Sequence, residues 1–298
     1  MLEREVVSIK LDHLSKAIKK DKISSCIIYK DDFTVFEYYR NRKIKDKQHK
    51  VYSITKSIIS ALCGIAIQQG YVESENVSVS NFFSDIEDSK KDIKIKHLLM
   101  MASGLSWPGN EAMMSTKNWV KFILEQPVEL EPGVEMKYSC GNSHLVSAIL
   151  QQTTKMDTVS FATKYLFSPL GIKDYHWHRD AQGIPIGGFS MTMKIEDMLK
   201  FGILYLNQGK WKGKQLIPAE WIKESTDSKI ILSEDISYGY HWWILNKDDE
   251  KRKTYYAMGM RGQYIFVNEE NRLVTVITSS MEEDASSPIE YFRNYILC

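Results

Sequence analysis

The spacing of apolar and polar positions changes period several times along the chain. Val6, Ile9, Leu11, Leu14 and Ile18 fall near helical spacing and predict a helix over residues 5–20. Over residues 24–40 the period shortens. Cys26-Ile27-Ile28-Tyr29, the pair Asp31-Asp32, and the run from Phe33 to Tyr39 read as a β-hairpin. The basic stretch from Arg40 to Lys50 reads as a solvated loop, with a rim attracting an anionic substrate as the alternative. From Ser53 a strong helix is predicted, with Ile54, Ile58, Leu62, Ile65 and Ala66 on one face and Gly70 ending it. Residues 72–180 read as mostly helical and irregular, with one helix following Asn142. Further helices are predicted from Thr192 to Asn207 and from Pro218 to Glu224.

The last third is rich in strand patterns: Tyr238 to Leu245, Thr254 to Ala257, Gln263 to Val267 and Leu273 to Thr278, with a turn over Asn268 to Asn271. Residues 287–297 read as a closing helix. Strands at both ends with helices between predict an α+β fold. Its terminal strands meet in one antiparallel sheet flanked by terminal helices, and a mostly helical lobe is inserted. One domain over residues 1–298 is expected, with a sheet lobe of about 1–64 and 181–298 and a helical lobe of about 65–180. No internal repeat or low-complexity linker is present.

Composition narrows the function classes. The chain has 298 residues, 39 Lys plus Arg against 38 Asp plus Glu, and a formal charge of +1. That balance argues against nucleic-acid binding and against disorder. Cys26, Cys63, Cys140 and Cys298 are far apart, so neither a disulfide framework nor a zinc ribbon is expected. The N-terminus opens on charged residues, and no apolar run reaches the roughly 18 residues of a membrane span. A cytoplasmic protein with no membrane association is the expectation.

Three segments carry candidate chemistry. In Ser53-Ile54-Thr55-Lys56 the serine and lysine share one face of a helix start. There the free backbone N–H groups and the positive end of the helix dipole favour an anion beside Ser53. A desolvated Lys56 would have a lowered pKa and would act as a base. Alone, this spacing is as readily an N-cap serine with a surface lysine. Tyr138-Ser139-Cys140-Gly141-Asn142 follows the turn signal Glu131-Pro132-Gly133, and Tyr138 by itself reads equally as core. Met258-Gly259-Met260-Arg261-Gly262-Gln263 precedes a strong strand. Its glycines suit close approach of backbone to a ligand, or a bulge.

Taken in order, these three segments resemble the serine β-lactamase and penicillin-binding protein superfamily. Leu98-Leu99-Met100-Met101-Ala102-Ser103-Gly104-Leu105 resembles that family's L-L-x-H-T-S-G-L segment, and Gly187-Gly188-Phe189-Ser190-Met191-Thr192 resembles its G-G-x-x-S-T segment. Trp211 to Ile217 and Tyr238 to Trp243 add to the likeness, which spans about residues 24–296. It is closest to the class C β-lactamase-like group that includes carboxylesterases and 6-aminohexanoate-dimer hydrolases. The resemblance implies a serine hydrolase with Ser53 as nucleophile, Lys56 taking or relaying its proton, and Tyr138 shuttling the proton to the leaving group. It implies an oxyanion hole from the backbone N–H groups of Ser53 and Met260. Cys140, Trp107, Gly259 and Arg261 are the candidate substrate contacts. The implied substrate is a small ester, amide or short peptide, with no cofactor and no metal.

The sequence departs from the family pattern. Cys140 stands where Tyr-x-Asn has its amide, Ala257-Met258-Gly259 replaces Lys-Thr-Gly or His-Thr-Gly, and Met101 replaces the histidine of H-T-S-G-L. These changes argue against the alternatives of a β-lactamase or a D-amino-acid peptidase. The intact Ser-Lys-Tyr trio argues against a non-catalytic binding protein. His176 and His178 lack a third ligand. Asp85, Glu87, Asp88 and Asp92 read as a solvated face, and Trp242 and Trp243 as core packing by default, with the lining of a substrate cleft as the alternative.

Overall fold

The strands at the two ends of the chain meet. In the computed structural model, Ile23–Lys30 pairs antiparallel with Leu273–Ser279, and Ile27 lies opposite Val276. The structure describes residues 2–84, 86–246, 253–282 and 287–297, with side chains from Lys10 onward. Asp85 and Cys298 lie outside the described residues. Among these residues eight strands form one antiparallel sheet. Its order is Phe33–Tyr39, Ile23–Lys30, Leu273–Ser279, Gln263–Asn268, Thr254–Gly259, Trp243–Leu245, Ile236–Tyr238 and Ile230–Ile231.

The central strands are buried on both faces, which is why they read as unbroken apolar runs rather than as an alternation. Ile265, Val274 and Val276 face a core shared with the helices Ile54–Gln68, Cys140–Thr154 and Ile195–Leu206. Tyr264, Phe266, Leu273 and Ile277 face a second core under Leu14 and Ile18 of the N-terminal helix Leu2–Lys20 and under Phe292. Each such aliphatic side chain contributes roughly 1.5–3 kcal/mol by leaving water. The fold is the expected α+β arrangement of an antiparallel sheet with helices on its faces.

A second, three-stranded sheet orders His49–Lys50, Met191–Met193 and Tyr175–Trp177. It delivers the chain to Ser53, since the Val51 N–H donates to the Met191 carbonyl at 3.0 Å.

Four elements differ from expectation. The helix predicted from Thr192 begins at Ile195, and Met191–Met193 is a strand whose buried methionines flank the half-buried Thr192. The apolar frame of the helix that follows hides this short period of two. The strand predicted over Tyr238 to Leu245 is broken in the middle. His241 takes φ 62°, its N–H bonds to the Leu99 carbonyl at 3.0 Å, and its carbonyl accepts from Ser57 Oγ at 2.7 Å. The basic stretch contains a helical turn, Arg42–Lys45, capped by Asn41, and ends in the strand His49–Lys50. The helix placed after Asn142 starts at Cys140, because Ser139 Oγ accepts from the N–H groups of Gly141 and Asn142.

Cys26, Cys63 and Cys140 are free, buried thiols. No helix among the described residues is long and apolar enough to cross a membrane.

Candidate active site

Ser53 is the N-cap of the helix Ile54–Gln68, one turn before Lys56. The preceding residue, Tyr52, holds φ 48°, a left-handed conformation that costs a non-glycine residue about 1–2 kcal/mol. This sharp strand-to-helix turn seats the serine hydroxyl at the helix N-terminus.

Lys56 is 1% exposed, and its ammonium has three donors with three acceptors. They are Ser53 Oγ at 2.9 Å, Cys140 Sγ at 3.3 Å and the Gly188 carbonyl at 2.5 Å. Burial works to lower the Lys56 pKa. The charges and hydrogen bonds of Tyr138 and Cys140 outweigh it, and the net direction is upward. This corrects the expectation that desolvation alone would make Lys56 a free base, because burial comes with hydrogen-bonding partners, Tyr138 and Cys140, that favour the ammonium. His241 lies in the same interior, 2% exposed, with Nε2 3.1 Å from Ser143 Oγ. Burial first, then the Lys56 charge, hold its pKa well below the ordinary value.

The opposite wall is the start of the helix Cys140–Thr154. The Gly187-Gly188 pair crosses it so closely that a Cβ on Gly188 would stand 2.8 Å from the Cys140 Cβ. Only a residue without a side chain lets that carbonyl reach Lys56. Ser103 Oγ donates to Asn142 Oδ1 at 2.9 Å, tying the segment around Met101 to the same helix.

Tyr138 is 37% exposed and its ring centroid lies 4.9 Å from Lys56 Nζ. The ring stacks on Trp243 at 6.1 Å and meets Tyr238 edge-on at 6.5 Å. Trp243 is therefore half-buried in the wall of the site, the cleft alternative rather than the core default, whereas Trp242 is fully buried.

The strand Thr254–Gly259 closes the third side. A Cβ on Gly259 would stand 2.2 Å from the Val51 carbonyl, so the strand end presses on backbone two residues before Ser53. Gln263 Nε2 pins the turn that follows, donating to the carbonyls of Met260 at 3.4 Å, Arg261 at 3.2 Å and Ser279 at 2.7 Å. Met260 is 66% exposed, and Arg261 is exposed at φ 65° with no carboxylate partner among the described residues. Trp107 is half-buried against Gly141, beside Cys140.

The fold thus brings Ser53, Lys56, Tyr138 and Cys140 to one point. Gly259 and Trp107 lie on neighbouring backbone, and Arg261 stands out on a turn. Two contributors escaped the sequence reading, the Gly188 carbonyl and His241, while Trp243 takes its cleft alternative. The glycine pair and the Tyr238–Trp243 segment were the visible signals, but neither reveals which atom faces the lysine. Other candidates separate from the site. His176 and His178 are exposed, 3.4 Å apart, and no group of three or more metal-ligating side chains occurs among the described residues. Glu87 pairs with Lys90, and Asp88 with Lys91.

Known proteins share this architecture. The 6-aminohexanoate-dimer hydrolase of Paenarthrobacter ureafaciens is 18% identical, over 93% of this chain and 77% of its own length. The penicillin-binding protein of Bacillus halodurans superposes with a TM-score of 0.78 at 14% identity, covering 94% of this chain and 99% of that one. EstCE1, a hydrolase with promiscuous acyltransferase activity, gives a TM-score of 0.79 at 16% identity, covering 98% and 97%. These likenesses establish the fold. The family described as Beta-lactamase matches residues 24–295, nearly the whole chain, and the protein belongs to that family.

Proposed function

We propose that the protein is a serine hydrolase that cleaves a small ester, amide or short peptide through an acyl-enzyme on Ser53. The observation that carries this reading is the buried Lys56 ammonium 2.9 Å from Ser53 Oγ at a helix N-terminus. A positive charge and unpaired backbone N–H groups beside one hydroxyl lower the cost of ionising it.

Ser53 Oγ forms a bond to the substrate carbonyl carbon. Lys56, resting as an ammonium, holds the hydroxyl and the charge it develops. Tyr138, which is open to solvent on one side, carries the Ser53 proton to the leaving oxygen or nitrogen as its bond to carbon breaks. Water then attacks the acyl-enzyme, its proton returns by way of Tyr138 to Ser53, and the acid departs. The backbone N–H groups of Ser53 and Met260 receive the oxyanion. One such donor is worth about 10²–10³ in rate in other enzymes. Gly259 lying on Val51 supports this pairing, since Met260 follows it directly in the chain.

Ala257, fully buried, and Cys140 replace the side chains with which β-lactam-binding relatives hold an antibiotic, which disfavours a β-lactamase or cell-wall peptidase. The test is intact-protein mass after exposure to a fluorophosphonate, a p-nitrophenyl ester and a penicillin, with wild type beside Ser53→Ala. Adducts or turnover from the first two reagents, lost in the variant, are expected. A long-lived penicillin adduct would replace this reading with the cell-wall one. Inertness to all three would leave a binding protein.

A further inference from the structure

A recess that the chemistry above leaves unused is lined in part by Tyr52, the residue before Ser53. It has a volume of about 230 Å³, and Lys50, Tyr52, His178, Phe189, Ser190 and Thr192 are among the residues that line it. Its position follows from the small sheet, in which Lys50 lies opposite Thr192. Ser190 is two residues after Gly188, whose carbonyl accepts from Lys56.

The lining has one electrostatic sign. It holds a lysine and a histidine and no Asp or Glu. Lys50 is exposed and has no ion pair among the described residues. Asp174, the residue before the strand Tyr175–Trp177, is already engaged by Lys194 at 2.9 Å and by the Gln48 amide. The Thr192 hydroxyl is also engaged, donating to Gln48 Oε1 at 2.6 Å.

Ser190 is the unusual member. Its Oγ is buried without any hydrogen-bond partner, on a backbone held at φ 80°. A buried hydroxyl is costly to leave unpaired, and a left-handed serine is uncommon. Both observations fit a donor kept for something that enters the recess. A hydroxyl donor with one lysine ammonium and no carboxylate suits an anion. The strand on the other side of the serine supplies no cation before its turn, since Ala257 is fully buried.

We infer that this recess receives a carboxylate carried by the substrate, so that Ser53 acts preferentially on acidic esters or amides. The inference rests on the serine-hydrolase reading and adds to it a substrate class. A charge-assisted contact of this kind gives about a tenfold or greater preference for the anionic substrate.

Two measurements test it. The first compares kcat/KM for 4-acetoxybenzoate with that for its methyl ester, and for mono-4-nitrophenyl glutarate with that for its methyl ester. At least one acid should exceed its neutral counterpart about tenfold, and the ratio should fall toward one in Lys50→Met and in Ser190→Gly. The second titrates glutarate calorimetrically, with dimethyl glutarate as control. Saturable glutarate binding in wild type, weakened about tenfold in Lys50→Met, is expected. No preference and no glutarate binding would overturn the inference, as would a preference and a binding that both survive the two substitutions. Glutarate binding that Lys50→Met weakens, with no ester turned over and Ser53 inert to fluorophosphonate, would keep the anion site and remove the hydrolase reading.

Discussion

Lys56 Nζ lies 3.3 Å from the sulfur of Cys140, so a thiol fills the third hydrogen-bond position of the buried ammonium. The other two positions belong to Ser53 Oγ and the Gly188 carbonyl. This arrangement asks only for an acceptor at Cys140, not for a nucleophile. Cys140→Ser keeps an acceptor and is expected to retain turnover within about tenfold. Cys140→Val removes one, and loss of a hydrogen bond to a charged group lowers kcat about 10–100-fold. Ester kinetics on the two variants, with fluorophosphonate labelling to show an intact Ser53, check this. Equal and complete loss in both would mean that the sulfur itself takes part.

Lys56 separates activity from stability. Taking an ammonium out of water is expensive, and its partners offset that cost and somewhat more. Lys56→Met keeps the length of the side chain and removes the charge. Turnover is expected to fall at least about a thousandfold. Unfolding free energy should change by no more than about 2 kcal/mol, because the desolvated charge and its hydrogen bonds vanish together. Urea denaturation beside ester turnover reads both quantities. A variant that folds normally and still turns over at a tenth of the wild-type rate would remove Lys56 from the mechanism.

Gly259→Ala tests the strand that presses on the serine. The added Cβ would stand 2.2 Å from the Val51 carbonyl, well inside contact distance, and backbone must move. The displaced strand end carries Met260 away from Ser53. A kcat loss of about a hundredfold is expected from one misplaced oxyanion donor, with KM for a neutral ester little changed. Unchanged kcat in a folded variant would show that the Met260 N–H is not used.

The sequence made the large elements legible because their signals are local. The apolar face from Ile54 to Ala66 and the run Leu273 to Thr278 each fix their element without outside help. Ser53 and Lys56 were legible for the same reason, sitting one helical turn apart. The choice between core and cleft for Trp243 was not, because which face of an aromatic strand meets Tyr138 depends on a break at His241 that is imposed by Leu99 and Ser57, both distant in sequence. The direction of the Lys56 pKa was hidden likewise. It depends on Tyr138 and Cys140, which fold topology alone brings to the ammonium.

Three buried histidines make the fold acid-sensitive within a definite window. His49 and His97 are pushed down to about 4, and His241 lies well below its ordinary value. Burial is the largest cause at each. Lys47 adds to it at His49, Lys96 and Lys94 at His97, and Lys56 at His241. Geometry agrees at His97, where Nδ1 accepts the Lys94 N–H at 3.3 Å and must be unprotonated. The unfolded chain protonates these side chains near pH 6.5, while the folded chain does not protonate His49 or His97 until about 4, and His241 only well below its ordinary value. Their neutral burial therefore costs nothing above about pH 6.5, and stability is lost as pH falls from there toward 4. The loss is about 1–2 kcal/mol for each of His49 and His97 at about pH 5. Urea midpoints taken at about pH 7.5, 6 and 5 should decline in wild type and decline less in His97→Gln, which has no proton to gain. Parallel declines in the two proteins would mean that His97 is protonated in the folded state.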